Sequence, residues 1–293
     1  MSPRRTSAAL GVLALVAAAL AWAVEPAGRL LGVAEAVVGS LLLISCSTLA
    51  LNGSRPAPLP TRRAVRTVLA STAANALTPA GVGGTVLTVR VHRRTGLSCE
   101  QAVAAAGLRT AAGALVAVLV TVATAGAVGT GSLPAFSPPD AIAIALLVTA
   151  ATAVLLSAVP VARRVLSSLR RTAVDAGAVL RRPRCCVALL LGCLGVTAGQ
   201  LMTLAGAVRA VGGHLELTGL LVALLGSTAA RSAFPSPGGV GPIEAALVAG
   251  LTTLGMHLGA ATLAVVVYRT AGHWLPVLAG ATSIRHLRRH ALL

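Results

Sequence analysis

Long apolar stretches separated by short clusters of arginine dominate the pattern along this chain. A helix needs about 20 predominantly apolar residues to cross a hydrocarbon core some 30 Å thick. Six stretches read as such spans: Ala8–Val24, Leu31–Leu51, Ala102–Val128, Ala141–Val159, Val187–Ala210 and Leu258–Ala281. The first follows Arg4 and Arg5, and Ala21-Trp22-Ala23 resembles a signal-peptide cleavage site. Its apolar run exceeds the 7–15 residues usual for a leader and more spans follow, so it reads as a retained helix.

Two further apolar segments are interrupted. Thr67–Val89 is broken over residues 75–84 (NALTPAGVGG), with arginine clusters on both flanks, so both of its ends lie on one side of the membrane. Its apolar arms of about 11 and 6 residues span roughly 16 and 9 Å at 1.5 Å per residue, which predicts a re-entrant hairpin. Leu217–Met256 is broken over residues 234–242 (FPSPGGVGP), and its longer arms are compatible with re-entry or with two full crossings. Each half of the chain therefore reads span, span, broken hairpin, span. The interruptions resemble each other, Thr78-Pro79-Ala80-Gly81-Val82-Gly83 against Ser236-Pro237-Gly238-Gly239-Val240-Gly241. Paired Gly/Pro-interrupted segments at corresponding positions point to an inverted-repeat transporter with its binding site at the breaks. The predicted fold is all-α: one polytopic membrane domain over residues 1–293, with repeat halves of approximately 1–130 and 139–284.

Composition agrees. Of 293 residues, 56% are hydrophobic and 11% charged, against about 25% charged in soluble chains. Aromatics make up only 2%, leaving Ala, Val, Leu and Gly to pack helices whose backbones can then approach closely. The net charge of +17 comes from arginine without lysine, a usage that suggests a GC-rich bacterial genome. Such an excess taken alone suggests nucleic acid, but the arginines cluster in alternate loops, where positive charge is retained in the cytoplasm. The alternation places both termini inside the cell and the chain in the cell membrane. The five cysteines have neither zinc spacing nor a CxxC pair. No metal, disulfide or cofactor is expected.

Candidate chemistry gathers at the breaks. The helices restarting near Thr85 and Ile243 offer N-terminal amides and a positive dipole end, a natural seat for phosphate, which selects Asn75, Gly83, Gly84, Gly238, Gly239 and Gly241. Arg269 lies near the middle of a span, at an insertion cost of about 2.5–3.5 kcal/mol, and such residues face a cavity or a partner. His273 is four residues further and shares its face. Glu244 is the obvious acidic partner for Arg269; a salt bridge, a proton or substrate site, or both, fit its position. Arg231 directly precedes the second break and would add charge to a cavity there. Arg109 sits under three turns into its span, close enough to snorkel toward the cytoplasmic surface. His92 and His286 lie near segment ends and read as solvated. No nucleophile–base pair, Walker motif or metal cluster is visible, so the chain is not expected to be an enzyme.

The stretch Pro235–Gly250 (PSPGGVGPIEAALVAG), followed by Tyr268-Arg269 and Trp274-Leu275-Pro276, resembles the signature of the lysylphosphatidylglycerol synthase transmembrane region, a flippase-like family. Asn75…Pro79–Gly84, with Arg94-Thr95-Gly96 and Ala102, is similar to its other marked region. The resemblance covers nearly the whole chain. Leu108 stands before Arg109 where members commonly carry an acidic residue. The resemblance implies a lipid-translocating domain without the soluble aminoacyl-transferase domain of full-length members. The expected function is movement of an anionic phospholipid or polyprenyl-linked lipid between leaflets, with that lipid and the surrounding membrane lipids as partners. The rival reading is a membrane subunit or scaffold for a separate lipid-modifying transferase.

Overall fold

A computed structural model of the chain describes residues 26–78, 82–129, 181–233 and 236–289; within them the regular structure is helical and contains no strand. In chain order the helices are α1 (Pro26–Gly53), α2 (Thr61–Leu77), α3 (Val82–Arg94), α4 (Cys99–Gly129), α5 (Pro183–Ala210), α6 (Leu217–Ala233), α7 (Pro242–Thr253), α8 (Leu258–Arg269) and α9 (Leu275–Arg289). A 3₁₀ turn, Pro237–Gly239, joins α6 to α7, and a π segment, Thr270–Trp274, joins α8 to α9 without breaking the helical path. Three of the described helices, α1, α4 and α5, are long and apolar enough to cross a membrane. The predicted spans Ala8–Val24 and Ala141–Val159 lie outside the described residues. The last predicted span, Leu258–Ala281, is longer than expected: its helix runs on to Arg289 through the π segment.

The helices α1 and α5 form the spine. They run antiparallel, and a small residue lies at almost every level where they meet: Gly32 faces Ala210, Ala36 faces Gly206, Gly39 faces Thr203, Leu43 faces Gly199, Ala50 faces Gly192 and Gly53 faces Leu189. A methyl group built on Gly39 would lie 2.6 Å from the Thr203 nitrogen, and one on Gly192 would lie 2.5 Å from the Ala50 nitrogen. The two backbones are thus in direct contact. In lipid, where burying a leucine gains nothing over leaving it among acyl chains, dispersion between closely apposed backbones holds helices together. Repetition of Gly or Ala every three or four residues is the sequence device that permits it. A second close approach holds α9 on α2, where Gly280 packs on the Leu69 carbonyl and the Ala73 methyl. At the end of the same interface, Arg66 and His286 are hydrogen-bonded.

The remaining core is conventional. Leu204 and Val208 of α5, Leu220 and Leu224 of α6, Leu247 and Leu251 of α7, and Ala261 and Val265 of α8 form one buried cluster. It fixes the second broken hairpin, α6–α7, against the spine and α8.

The first hairpin, α2–α3, corrects one expectation. Its arms are not about 11 and 6 residues but 17 and 13, because α2 begins at Thr61 and α3 continues to Arg94, both beyond the apolar stretch. The arginines that flank the segment belong to the helices themselves. The second hairpin has arms of 17 and 12 residues. Short arms are therefore no longer an argument for re-entry; equal flanking charge remains one.

Candidate functional site

The two interruptions meet. The 3₁₀ turn at the tip of α6–α7 packs against the end of α2, close enough that a methyl group on Gly238 would touch the Ala76 Cα at 3.4 Å. Gly238, Gly239 and Gly241 all have positive φ, at 64°, 69° and 100°. That left-handed backbone is strained for any residue with a Cβ, so the tip requires the glycines that the motif supplies.

Each hairpin caps itself. Asn75, in the last turn of α2, accepts a hydrogen bond from the Gly84 amide at 2.6 Å, and Thr78 accepts one from the Gly83 amide at 2.9 Å. Ser71 and Thr88 cross-link the same two helices at 2.9 Å. In the second hairpin Glu244 reaches back to accept from the Gly241 amide at 2.7 Å. The anion seat expected at the first break is therefore corrected: the Gly83 and Gly84 amides are already satisfied, and Asn75 is a cap. Sequence pointed to the right residues but could not show that a side chain two turns upstream returns to fill the vacancy. Asn75→Ala would leave the Gly84 amide buried without its acceptor, and the expected loss is about 1–3 kcal/mol of stability. Thermal unfolding in detergent checks it, with Asn75→Asp expected to avoid most of the loss because the acceptor oxygen is kept.

The second break holds charge. Arg269, on the last turn of α8, is 6% exposed. Its Nε lies 2.6 Å from Glu244 Oε1, and its Nη2 donates to the Gly238 carbonyl at 3.0 Å. The guanidinium thus ties α8 to both the glycine tip and the first turn of α7. Glu244 divides its carboxylate, one oxygen on Arg269 and the other on the Gly241 amide, where the positive end of the α7 dipole also favours it. Glu244 is thus at once the ion-pair partner of Arg269 and a first-turn carboxylate of α7.

Beside this latch is a cavity of about 100 Å³, lined by Gln200 and Thr203 of α5, Ser227, Thr228 and Arg231 of α6, and Tyr268, Arg269 and His273 around the π segment. Holding one water takes some 10–15 Å³ of such volume, so the cavity has room for a phosphate-sized group and no room for acyl chains. Arg231 is exposed at its edge. The described ion pairs are Arg269–Glu244 and Arg209–Glu35, so Arg231 lacks a carboxylate among the described residues. His273 shares the lining, and its Nε2 is buried with no hydrogen bond. The structure therefore brings Arg231, Gly238, Gly239, Gly241, Glu244, Arg269 and His273 together. Asn75, Gly83 and Gly84 stand one step away behind Ala76, and Arg109 lines no part of the cavity.

Three features escaped the sequence reading. The hydroxyl and amide lining, Gln200, Thr203, Ser227 and Thr228, is scattered over two helices and shows no motif; polar residues at helical spacing within apolar runs were the available signal. The π segment has no sequence mark, although π insertions are frequent at functional sites. Here it sets His273 into the cavity wall, and the Ser40 hydroxyl of α1 donates to the Ala271 carbonyl within it at 2.8 Å. The third is His92, expected to be solvated and in fact fully buried, because α3 extends to Arg94 and turns its imidazole inward.

Comparison with known proteins agrees with this geometry. No significant match was found among curated proteins. The family model for the lysylphosphatidylglycerol synthase transmembrane region matches residues 4–280, a stretch that includes both hairpins, the spine and the Arg269 latch. A membrane protein with a lipid-related role is the shared property that this match carries, and the chain belongs to the lysylphosphatidylglycerol synthase transmembrane-region family.

Proposed function

We propose that this chain transfers a phosphate-bearing lipid between the leaflets of the cell membrane, its headgroup passing through the cavity at the second break. The observation that carries the reading is the pairing of Arg231 with Arg269 on one cavity wall. An arginine within the membrane costs about 2.5–3.5 kcal/mol on insertion scales and marks a substrate path or a partner. Arg269 has its partner in Glu244; Arg231 has none among the described residues. A phosphate supplies one, and the Gln200 amide on the same lining would donate a hydrogen bond to another of its oxygens. The cavity volume separates headgroup from tail, so the acyl or prenyl chains stay in lipid.

The architecture supports alternation between the two sides. The four helices α1–α4 correspond in order to α5, α6, α7 and the α8–α9 path, each starting roughly 160 residues after its counterpart, as expected of an inverted repeat. The antiparallel contact of α1 with α5 then lies on the pseudo-two-fold axis in the membrane plane. With both termini cytoplasmic, the two hairpins enter from opposite faces and their tips, Ala76 and Gly238, meet inside. Rocking of one half against the other would expose the cavity to each leaflet in turn. No catalytic step is assigned to the chain.

Reconstituted vesicles test the proposal. With headgroup-labelled anionic and neutral lipids compared side by side, the wild type is expected to move the anionic one faster than protein-free vesicles do. Arg231→Ala should slow it at least about tenfold through loss of a charge-assisted contact. Arg231→Lys retains the charge but not the planar fork, so partial activity is expected. Equal rates with and without protein would overturn the reading.

A further inference from the structure

The α4 helix carries a second arginine at membrane depth whose surroundings are the reverse of those around Arg269. Arg109 is the eleventh residue of α4, about 15 Å along the helix from its start at 1.5 Å per residue. The sequence allowed it to snorkel to the surface, but its Nη1 is fully buried and has no hydrogen-bond partner. Arg109 makes no ion pair with a described residue. Leu108, beside it, packs into an apolar cluster with Ala50, Ala112, Val116, Leu189 and Cys193. The described carboxylates are committed or distant: Glu35 holds Arg209, Glu244 holds Arg269, and Glu100 and Glu216 are exposed at helix ends.

More positive charge converges on the same place. Arg55, at the end of α1, is 2% exposed; it donates to the Ala57 carbonyl at 3.1 Å and to the Thr95 hydroxyl at 3.0 Å. Both Arg55 and Arg109 act electrostatically on His92, which is 0% exposed and makes no hydrogen bond of normal geometry at either ring nitrogen, although the Ala102 backbone is close. Two guanidinium groups and an imidazole are thus gathered without a carboxylate among the described residues. Breaking up a buried ion pair is costly because it leaves a charge uncompensated; among the described residues this cluster is built in that state. There is also space beside it. Gly113 is one turn beyond Arg109 on the same face, and a methyl group built there would meet nothing within 4 Å.

We propose that Arg109, with His92 and Arg55 behind it, is a second anion seat, and that it holds the phosphate of an anionic lipid drawn from the arginine-rich side of the membrane. Arg109 provides the buried donor, the imidazole a further N–H, and the open face at Gly113 lets the lipid enter from the bilayer. Arg109 occupies in α4 the position that Arg269 occupies in α8, but Arg269 is neutralised by Glu244 and Arg109 has no counter-ion among the described residues. The seat does not depend on transport: it would retain a lipid whether or not the cavity at the second break moves one.

Native mass spectrometry and nanodisc binding test it. The protein is placed in neutral phosphatidylcholine discs containing a minor fraction of phosphatidylglycerol, and bound anionic lipid is counted. The wild type is expected to retain phosphatidylglycerol tightly. Arg109→Ala should bind it about tenfold more weakly or worse, Arg109→Lys should restore part of the binding, and Arg269→Ala should leave this bound lipid in place. Should Arg109→Ala fail to fold, Gly113→Leu closes the open face while keeping the charge, and it too should lose the lipid. A titration with inorganic phosphate separates the sources: displacement of the lipid means that the seat takes phosphate in either form, and no displacement means that it takes the lipid alone. Equal retention of phosphatidylglycerol by the wild type, Arg109→Ala and Gly113→Leu would overturn the site, while leaving the transport reading to its own assay. Retention without transport would do the opposite.

Discussion

Arg269→Ala is expected to abolish headgroup transfer while giving a folded protein, and Glu244→Gln is expected to do most of its damage to stability. The asymmetry follows from what each substitution leaves behind. Removing Arg269 deletes a buried charge together with its desolvation cost. Glu244 remains 30% exposed at its side chain, still accepts from the Gly241 amide and still benefits from the α7 dipole. Transfer nevertheless fails, because one of the two arginines lining the cavity is gone and the Gly238 carbonyl loses its tie to α8. Replacing Glu244 by glutamine keeps the shape but leaves the Arg269 guanidinium, 8% exposed at its side chain, without a counter-charge. Removing one member of a buried pair costs about 3–5 kcal/mol, and the partial exposure of Glu244 together with the surviving Gly238 bond brings the expected figure toward the lower end. The double variant Arg269→Met, Glu244→Gln removes both charges and should recover the stability without recovering transfer. Thermal unfolding in detergent and vesicle transfer rates at equal folded protein read these separately. A double variant that transfers lipid at the wild-type rate would mean that the latch has no part in moving the headgroup, and Arg269→Ala as unstable as Glu244→Gln would mean that it is a structural brace.

Which of these features could be read without coordinates follows from their physical origin. A charge or a helix breaker in an apolar run is conspicuous, so Arg269, Arg231, Glu244 and the glycine tips were legible one residue at a time. The pairing of Arg269 with Glu244 was also legible, because an acid and a base isolated in lipid have few alternatives. Capping was not: whether the Gly83 and Gly84 amides face a ligand or are met by Thr78 and Asn75 depends on the angle at which α2 delivers its last turn. Burial near segment ends was misjudged for the same reason. His92 reads as marginal in the sequence because hydropathy stops at Val91, yet the helix continues and its tertiary position buries the ring. The spine was half visible. Small residues were evident in the composition, but the antiparallel register that makes each glycine of α5 face α1 is a property of two distant segments together.

That register makes the last prediction the most severe for the fold. In an isolated helix Gly→Ala is favourable by about 1 kcal/mol, since alanine loses less backbone entropy on becoming helical. On the spine the sign should reverse. A methyl group at Gly192 would stand 2.5 Å from the Ala50 nitrogen and 2.8 Å from its Cα, both backbone atoms that cannot rotate away. Either α1 and α5 separate along the contact or the helix bends, and close packing is lost at neighbouring levels where Gly199 meets Leu43 and Gly53 meets Leu189. Gly192→Ala is therefore expected to destabilise by about 1–3 kcal/mol, the usual cost of overpacking, and Gly192→Leu to prevent folding. Gly107 of α4 and Gly226 of α6 are the controls, because a methyl group at either would meet nothing within 4 Å. Gly107→Ala and Gly226→Ala should be neutral or gain up to about 1 kcal/mol. Thermal unfolding of the four variants, with yield of monodisperse protein for Gly192→Leu, decides between two descriptions of the glycine-rich sequence. If all four behaved alike, the glycines would be a compositional habit of the chain and the spine contact between α1 and α5 would not exist at this distance. A loss confined to Gly192 fixes the two helices against each other in this register, and with them the axis about which the two halves of the bundle are arranged.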